Sequence, residues 1–575
     1  MTFLVTPIAT TKELLISESF DCYDAFGHGT FQKRLMLICV LGAFLANSHA
    51  LAFPLISRGV GYRCKQPLPY SNVSAAASEE LAEQLGRCLV YEDPAEPNNS
   101  RTVACQEWQY DDEQARTTVV SAWNLVCQRK LLVAGMSVVQ NAGSAMFVLV
   151  AGYVADRIGR APVLVAAALV LMVSAPAGCF SSDYTTHAVL KFFSAGSSVL
   201  TLIFSAISLF EVTTHDNRPL HIAVCSTLGL LACDAWYFFM LQWSLRWEIE
   251  LAVFILPATI LLPAYLTVHE SPRWLIARGQ YERAEGVILA AADANHFPLP
   301  RAACLLDRLR ADMNRSANRR ATIVEALLSG FSIRRRALIM CGCFFSNTFA
   351  LYVAVYTKEQ LSMPWQPYSA FFFNFTGYAI MHLLIRKFTM LTVTVTLFAV
   401  LCMVQCLLIL NVAAGESVVI VEALTEVLVA FYYTGTVICS VYVLELFPTG
   451  LRATAMGWTF AFGRLGGVCA VLSLVLKNIG RVKLALVAAE FFLFVSLLML
   501  RSLPPATTVE CTKMASRRTS VQTVLNIERM KNTLEHGRAA LSAAASSRKG
   551  KNSSESTKTA STSRSSRSRR VKAKK

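Results

Sequence analysis

The chain alternates long apolar runs with shorter polar ones. Apolar runs cover 35–56, 131–155, 163–180, 188–210, 220–242 and 249–268. A polar stretch, 269–336, separates these from a second set at 337–356, 368–385, 388–410, 418–444, 454–476 and 484–500. A hydrocarbon core ~30 Å thick takes roughly 20 helical residues. A spanning segment must satisfy its own backbone, so runs of this length read as helices. The pattern predicts an all-α polytopic membrane protein with about twelve transmembrane helices in two six-helix bundles. The expected layout is an N-terminal segment (1–34), a first bundle (35–268) containing a long polar loop (57–130), a middle loop (269–336), a second bundle (337–502) and a tail (503–575).

Composition supports this picture. Of 575 residues, 54% are hydrophobic and 16% are charged. The mean hydropathy is +0.45, too apolar for a soluble protein of ordinary usage. The net charge of +16 suggests nucleic acid at first sight. Most of it belongs to the tail, which after Leu503 holds seventeen Lys/Arg against four Asp/Glu. Ser, Thr, Lys and Arg dominate 542–575, a composition unable to bury a core. That segment is expected to rest on anionic inner-leaflet lipid, at ~1 kcal/mol per basic residue near the surface. No folded nucleic-acid module accompanies it. No Gly-rich phosphate loop is visible, so direct ATP hydrolysis is not expected; nor is an enzyme, a resident cofactor or a metal.

The polar loop 57–130 carries Cys64, Cys88, Cys105 and Cys127, with sequons at Asn72-Val73-Ser74 and Asn98-Asn99-Ser100. Four cysteines allow three pairings. Beside two sequons they favour an oxidised extracellular cap, with glycans at Asn72 and Asn98. Lys/Arg bias puts Lys33/Arg34, Arg157/Arg160, Arg218, the middle loop, Arg386/Lys387, Arg452 and the tail on one side, read as cytosolic. Lys477, Arg481 and Lys483 fall on the other side and are outvoted. Both termini are then cytosolic, and the plasma membrane is the expected location.

Between the second and third runs stand Gly152, Asp156, Arg157, Gly159 and Arg160. The spacing Gly-x-x-x-Asp-Arg-x-Gly-Arg resembles the signature turn of the major facilitator superfamily. Glu211 and Arg218 follow one run, and Glu445 and Arg452 follow another at the same spacing, half a transmembrane body further on. Two parallel halves related by an axis along the membrane normal would produce this repeat. The second copy of the signature turn has decayed to Ile385-Arg386-Lys387-Phe388. Charges at one face can form ion pairs in one conformational state and break them in the other. Static anchoring is the alternative role.

Trp108-x-Tyr110-Asp111, Ser121-Ala122-Trp123-Asn124-Leu125-Val126-Cys127, Glu270-Ser271-Pro272-Arg273-Trp274-Leu275 and Glu445-Leu446-Phe447-Pro448-Thr449-Gly450-Leu451-Arg452 occur in order. Together they resemble the organic cation, anion and carnitine transporters, solute carrier family 22, over the whole body without the tail. The resemblance implies passage of a small organic ion by alternating access, as uniport or exchange. A receptor or scaffold that kept the fold is the alternative. Glu270/Arg273 and Glu445/Arg452 are expected as charge pairs at helix ends. Four departures stand out: Ala161 in place of a second basic residue, Lys191 where the fourth span often carries Arg, four loop cysteines where many members have six, and the decayed turn.

An ionisable group within a span is a candidate functional residue. Arg464 lies midway in the eleventh run, beside Gly463, Gly466 and Gly467, which leave room next to it. At this position the resemblance implies Asp in cation carriers and Arg in anion and carnitine carriers. A guanidinium facing a cavity binds a carboxylate bidentately. Otherwise Asp234, Glu422 or Glu426 neutralises it. Asn374 stands where many anion carriers have Lys, so one cavity cation suits a monoanion or a zwitterion. Asp234 is a candidate for the positive end of a zwitterion. Trp236, Tyr237, Phe344, Tyr352, Tyr356, Tyr432 and Tyr433 are candidate aromatic walls.

Overall fold

A computed structural model describes residues 26–64, 88–91, 101–110, 117–214, 217–243, 245–297, 331–358, 366–415, 418–478 and 481–503. The glycosylation expected at Asn72 and Asn98 and the lipid contact expected of the tail fall outside the described residues.

The long helices are α1 (Thr30–Ile56), α2 (Leu131–Ile158), α3 (Arg160–Gly178), α4 (Tyr184–Val212), α5 (Arg218–Met240), α6 (Trp247–Thr259), α7 (Phe331–Lys358), α8 (Gln366–Lys387), α9 (Met390–Ala414), α10 (Val418–Leu446), α11 (Arg452–Ala470) and α12 (Val482–Leu500). Eleven helices among the described residues are long and apolar enough to cross a membrane. The other, α8, is a 22-residue helix in its expected place. Near Pro263 the path of α6 tightens into a 3₁₀ segment, Leu262–Thr267. Proline supplies no N–H for an α-helical bond.

The two sets of six pack alike. In the first, α1 packs on α4, α5 and α6, and α4 on α2 and α3. In the second, α7 packs on α10, α11 and α12, and α10 on α8 and α9. Adding six to each helix number converts one list into the other, the structural form of the sequence repeat. The halves meet where α2 lies on α11 and α5 on α8 and α10.

The α2–α11 crossing is close because Gly152 faces Gly457. A Cβ on Gly152 would fall 2.5 Å from the Ala453 carbonyl oxygen. The expected charged turn after α2 is shorter than the hydropathy pattern implied. Only Gly159 separates α2 from α3, at φ 118°, where an L side chain is strained. Asp156 and Arg160 are therefore helical residues rather than turn residues.

The loop after α1 supplies the strands. Tyr62–Cys64 pairs antiparallel with Trp108–Tyr110, and Leu89–Tyr91 with Thr102–Ala104. Disulfides join Cys64 to Cys105 and Cys88 to Cys127. Trp123 docks this cap on the first bundle, its ring centroid 5.2 Å from Trp247 and 5.4 Å from His187. Past α6, Ser271 caps the short helix Pro272–Ala277, accepting the Trp274 N–H, with Pro272 at its first position.

Candidate functional site

A cavity of about 500 Å³ lies between the halves, lined by α1, α2, α4, α5, α7, α8, α10 and α11. This is within the size range of small-ligand sites. Its walls are mostly apolar, and two charged residues stand among them, Asp234 from α5 and Arg464 from α11.

Each charge is held by amides. The Asp234 carboxylate accepts from Asn47 Nδ2 at 2.8 Å and from Asn374 Nδ2 at 3.1 Å. Asn47 comes from α1 and Asn374 from α8, so this carboxylate also links the halves. Arg464 Nη1 points to Asn141 Oδ1 at 3.5 Å. Asn141 in turn donates to the Tyr352 hydroxyl at 3.1 Å. Among the described residues, neither Asp234 nor Arg464 forms an ion pair. Glu422 and Glu426, the other expected partners of Arg464, are buried in α10 and do not line the cavity. Tyr433 lines the cavity together with both charges and has Asp234, Tyr352, Tyr237 and Arg464 as electrostatic neighbours.

Tyr237, Phe344, Tyr352, Tyr356, Asn374 and Tyr433 line the cavity as expected. Trp236 and Tyr432 do not. The Trp236 indole donates to the Phe254 carbonyl at 3.3 Å, facing α6. The Tyr432 hydroxyl donates to Gln405 at 3.1 Å, facing α9. The glycines beside Arg464 also serve otherwise than expected. A Cβ on Gly466 would strike the Phe345 carbonyl oxygen at 2.5 Å, and one on Gly467 would press on Tyr352 and Asn141. They let α11 approach α7 and α2, which fixes the Asn141–Tyr352 pair beside Arg464. Asn47 and Asn141 were missed in the sequence, where their signal is an amide inside an apolar run.

One end of the molecule, opposite the cap, is closed by a buried charge cluster. Glu211 Oε1 lies 3.2 Å from Arg160 Nη2 and 3.0 Å from Arg452 Nη1. Arg160 also reaches Asp156 at 3.1 Å. Asp156 Oδ2 accepts the Thr454 N–H at 2.7 Å, across the halves. Glu445 has Arg218 as its electrostatic partner. The expected Glu445/Arg452 pair is therefore corrected: Arg452 pairs with Glu211 of the other half, and the opposite charge acting on Glu445 is Arg218. The guanidiniums of Arg218 and Arg452 also both stand over the Phe210 ring, at 5.3 and 4.8 Å from its centroid.

Two further expectations change. Arg157 stays outside the cluster, over the Tyr153 ring at 4.2 Å. Glu270 turns its carboxylate to backbone donors instead of serving as a partner for Arg273. It accepts from the N–H groups of Arg160, Ala161 and Ser271 at 2.9, 3.2 and 2.9 Å. It thus caps the start of α3, where a carboxylate is favoured. Burial pushes the Glu270 carboxyl above its usual range, against the lowering by these donors and by Arg160. Arg273 is buried nearby, and Trp274 donates to the Asp156 carbonyl at 3.2 Å.

Two like helical bundles around a central, mostly apolar cavity that holds two charges, closed at one end by a buried charge cluster, are the build of a membrane carrier. The family model described as "Sugar (and other) transporter" matches residues 90–515, and the chain belongs to this family, within the major facilitator superfamily. Its curated relatives are solute carrier family 22 members and organic cation transporters. The chain is 29% identical over 272 residues to the beta-alanine transporter of Drosophila melanogaster, covering 45% of this chain and 44% of that one. It is 24% identical over 349 residues to the organic cation transporter protein of the same organism, covering 56% and 62%. These two matches thus span less than two thirds of the relatives' length. Solute carrier family 22 member 16 of Bos taurus is 23% identical over 517 residues, covering 80% and 86%. The proton:xylose symporter XylE superposes with a TM-score of 0.58 at 16% identity, covering 83% of this chain and 97% of that one. This likeness speaks for the fold alone.

Proposed function

We propose that the protein carries small organic ions across the membrane by alternating access, as a uniporter or exchanger, and that its preferred substrate is a zwitterion. The observation that carries this reading is the pair of cavity charges without a counter-ion among the described residues, Arg464 from one half and Asp234 from the other. A carboxylate would take the guanidinium fork. An ammonium would displace one amide from Asp234. Tyr433, Tyr352 and Tyr237 would pack on the linker between them. A relative is named for beta-alanine, which carries both groups. A substrate bridging the two charges draws the halves together, which couples occupancy to rocking.

Uptake into cells, normalised to surface protein, tests this with three probes: beta-alanine, a simple monocarboxylate and a simple quaternary ammonium. Beta-alanine uptake is expected to exceed the others. Asp234→Asn is expected to cut beta-alanine uptake at least tenfold and to spare the monocarboxylate. Binding without uptake of any probe would support a receptor instead, and equal losses for all probes would remove the zwitterion reading.

In this reading the cap faces the outside and the charge cluster the cytosol, in the plasma membrane, with both termini cytosolic. The Lys/Arg bias supports this. The same reading has the 503–575 tail on anionic lipid and glycans on Asn72 and Asn98. Impermeant thiol reagent on intact cells is expected to label the four cap cysteines only after reduction, and glycosidase to shift the band. Labelling only from the cytosol would reverse the topology.

A further inference from the structure

We infer that the first bundle holds one small monovalent anion, chloride or another halide, at Lys191, away from the central cavity. Lys191 sits on α4 and is 5% exposed. Its ammonium donates to the His49 carbonyl of α1. Among the described residues it forms no ion pair. Among the described residues the acids on the helices of this half are engaged elsewhere, Glu248 with Arg246 and Glu270 with the N–H groups at the start of α3. Glu250 pairs with Arg58 at 2.5 Å, Asp156 and Glu211 belong to the charge cluster, Asp234 faces the central cavity, and Asp183 caps α4. A buried ammonium without a counter-charge calls for one.

A second observation points to the same place. A separate cavity of about 20 Å³ opens between α1, α3, α4 and α6, lined by Lys191, His49, His187, Ser174 and Ser194. It shares no lining residue with the central cavity. His49 is 3% exposed, and its Nε2 meets no hydrogen-bond partner. His187 is held by Ser181 Oγ at 2.9 Å from Nδ1. The space is that of one or two water-sized spheres, too small for an organic carboxylate. Leu190, Leu251 and Ile255 complete the wall. A single compact anion fits the volume, neutralises the ammonium and accepts from Nζ and from an Nε2–H tautomer of His49. A water would satisfy donors and leave the charge. Held there, the anion ties together four helices of the bundle that moves as a unit in the rocking cycle.

The test is thermal melting of the purified full chain in detergent, with chloride exchanged for gluconate at constant ionic strength, alongside radiochloride binding. The melting temperature is expected to rise saturably with chloride, as ligand linkage requires. Bromide is expected to act likewise. Both responses should vanish in Lys191→Met and persist in Lys191→Arg. An unresponsive parent protein overturns the proposal, and that measurement needs no variant to fold. A response that survives Lys191→Met puts the ion elsewhere, and one lost in Arg464→Ala puts it in the central cavity; either overturns it. A response to pH with none to halide makes Lys191 a proton carrier and overturns it too.

Discussion

Arg464→Ala is expected to weaken uptake of carboxylate-bearing substrates by well over tenfold per surface molecule. The substitution removes one partner of a charge-assisted pair in a partly desolvated site, which costs roughly 2–5 kcal/mol. Each 1.4 kcal/mol or so is a factor of ten. Arg464→Lys should recover only part of the loss, because an ammonium lacks the planar fork. Arg464→Asp should abolish anion uptake and admit cations. The competing role is structural pairing within the protein. Asp234 is occupied by Asn47 and Asn374, and the contact of Arg464 is Asn141, an amide. The deciding measurement is uptake of one anion and one cation in the same variant. Equal loss for both would leave Arg464 a structural residue.

Glu211→Gln is expected to shift the protein away from the state closed at the charge cluster by a factor on the order of 100 or more. Glu211 sits between two guanidiniums, Arg160 and Arg452, that are 0% and 2% exposed. Breaking a buried pair by removing one partner costs ~3–5 kcal/mol, since the remaining charge is stranded. Here Arg160 keeps Asp156, but Arg452 loses its carboxylate, and the two guanidiniums, from opposite halves, repel. Parting the halves at that end hydrates them, so the open state gains in relative stability. Backbone hydrogen exchange around Thr454, whose N–H is held by Asp156, reads this opening. Exchange there should accelerate by a factor approaching the population shift. Unchanged exchange in protein that reaches the surface at a reduced level would mean static anchoring, with no part in the cycle.

The twelve-helix body was legible because its signal is local. A run of some twenty apolar residues has little choice but to span. The Glu-x₆-Arg repeat also survived as a linear pattern, and the structure turned it into two like bundles. The strands of the cap left a weaker trace, since three-residue elements carry no periodicity to read. Their loop was recognised by its cysteines, and the pairing of Cys64 with Cys105 and Cys88 with Cys127 needed the fold.

The candidate site divided differently. Arg464 and Asp234 could be picked out because a charge inside an apolar run is costly wherever it points. Which neighbours join them could not. Tyr432 and Tyr433 are adjacent, so their side chains leave α10 about 100° apart. One is buried against Gln405, and the other stands in the cavity. In a soluble helix a polar stripe would announce the outer face. In a span, lipid outside and protein inside are both apolar, so the stripe is missing and the rotation of each helix is hidden. The sequence by itself determined the approximate number and the order of spans, the repeat and the charges that lie within spans. Only tertiary structure decided the rotation of each helix, and with it the amides around those charges and the pairing of Glu211 with Arg452 across the halves.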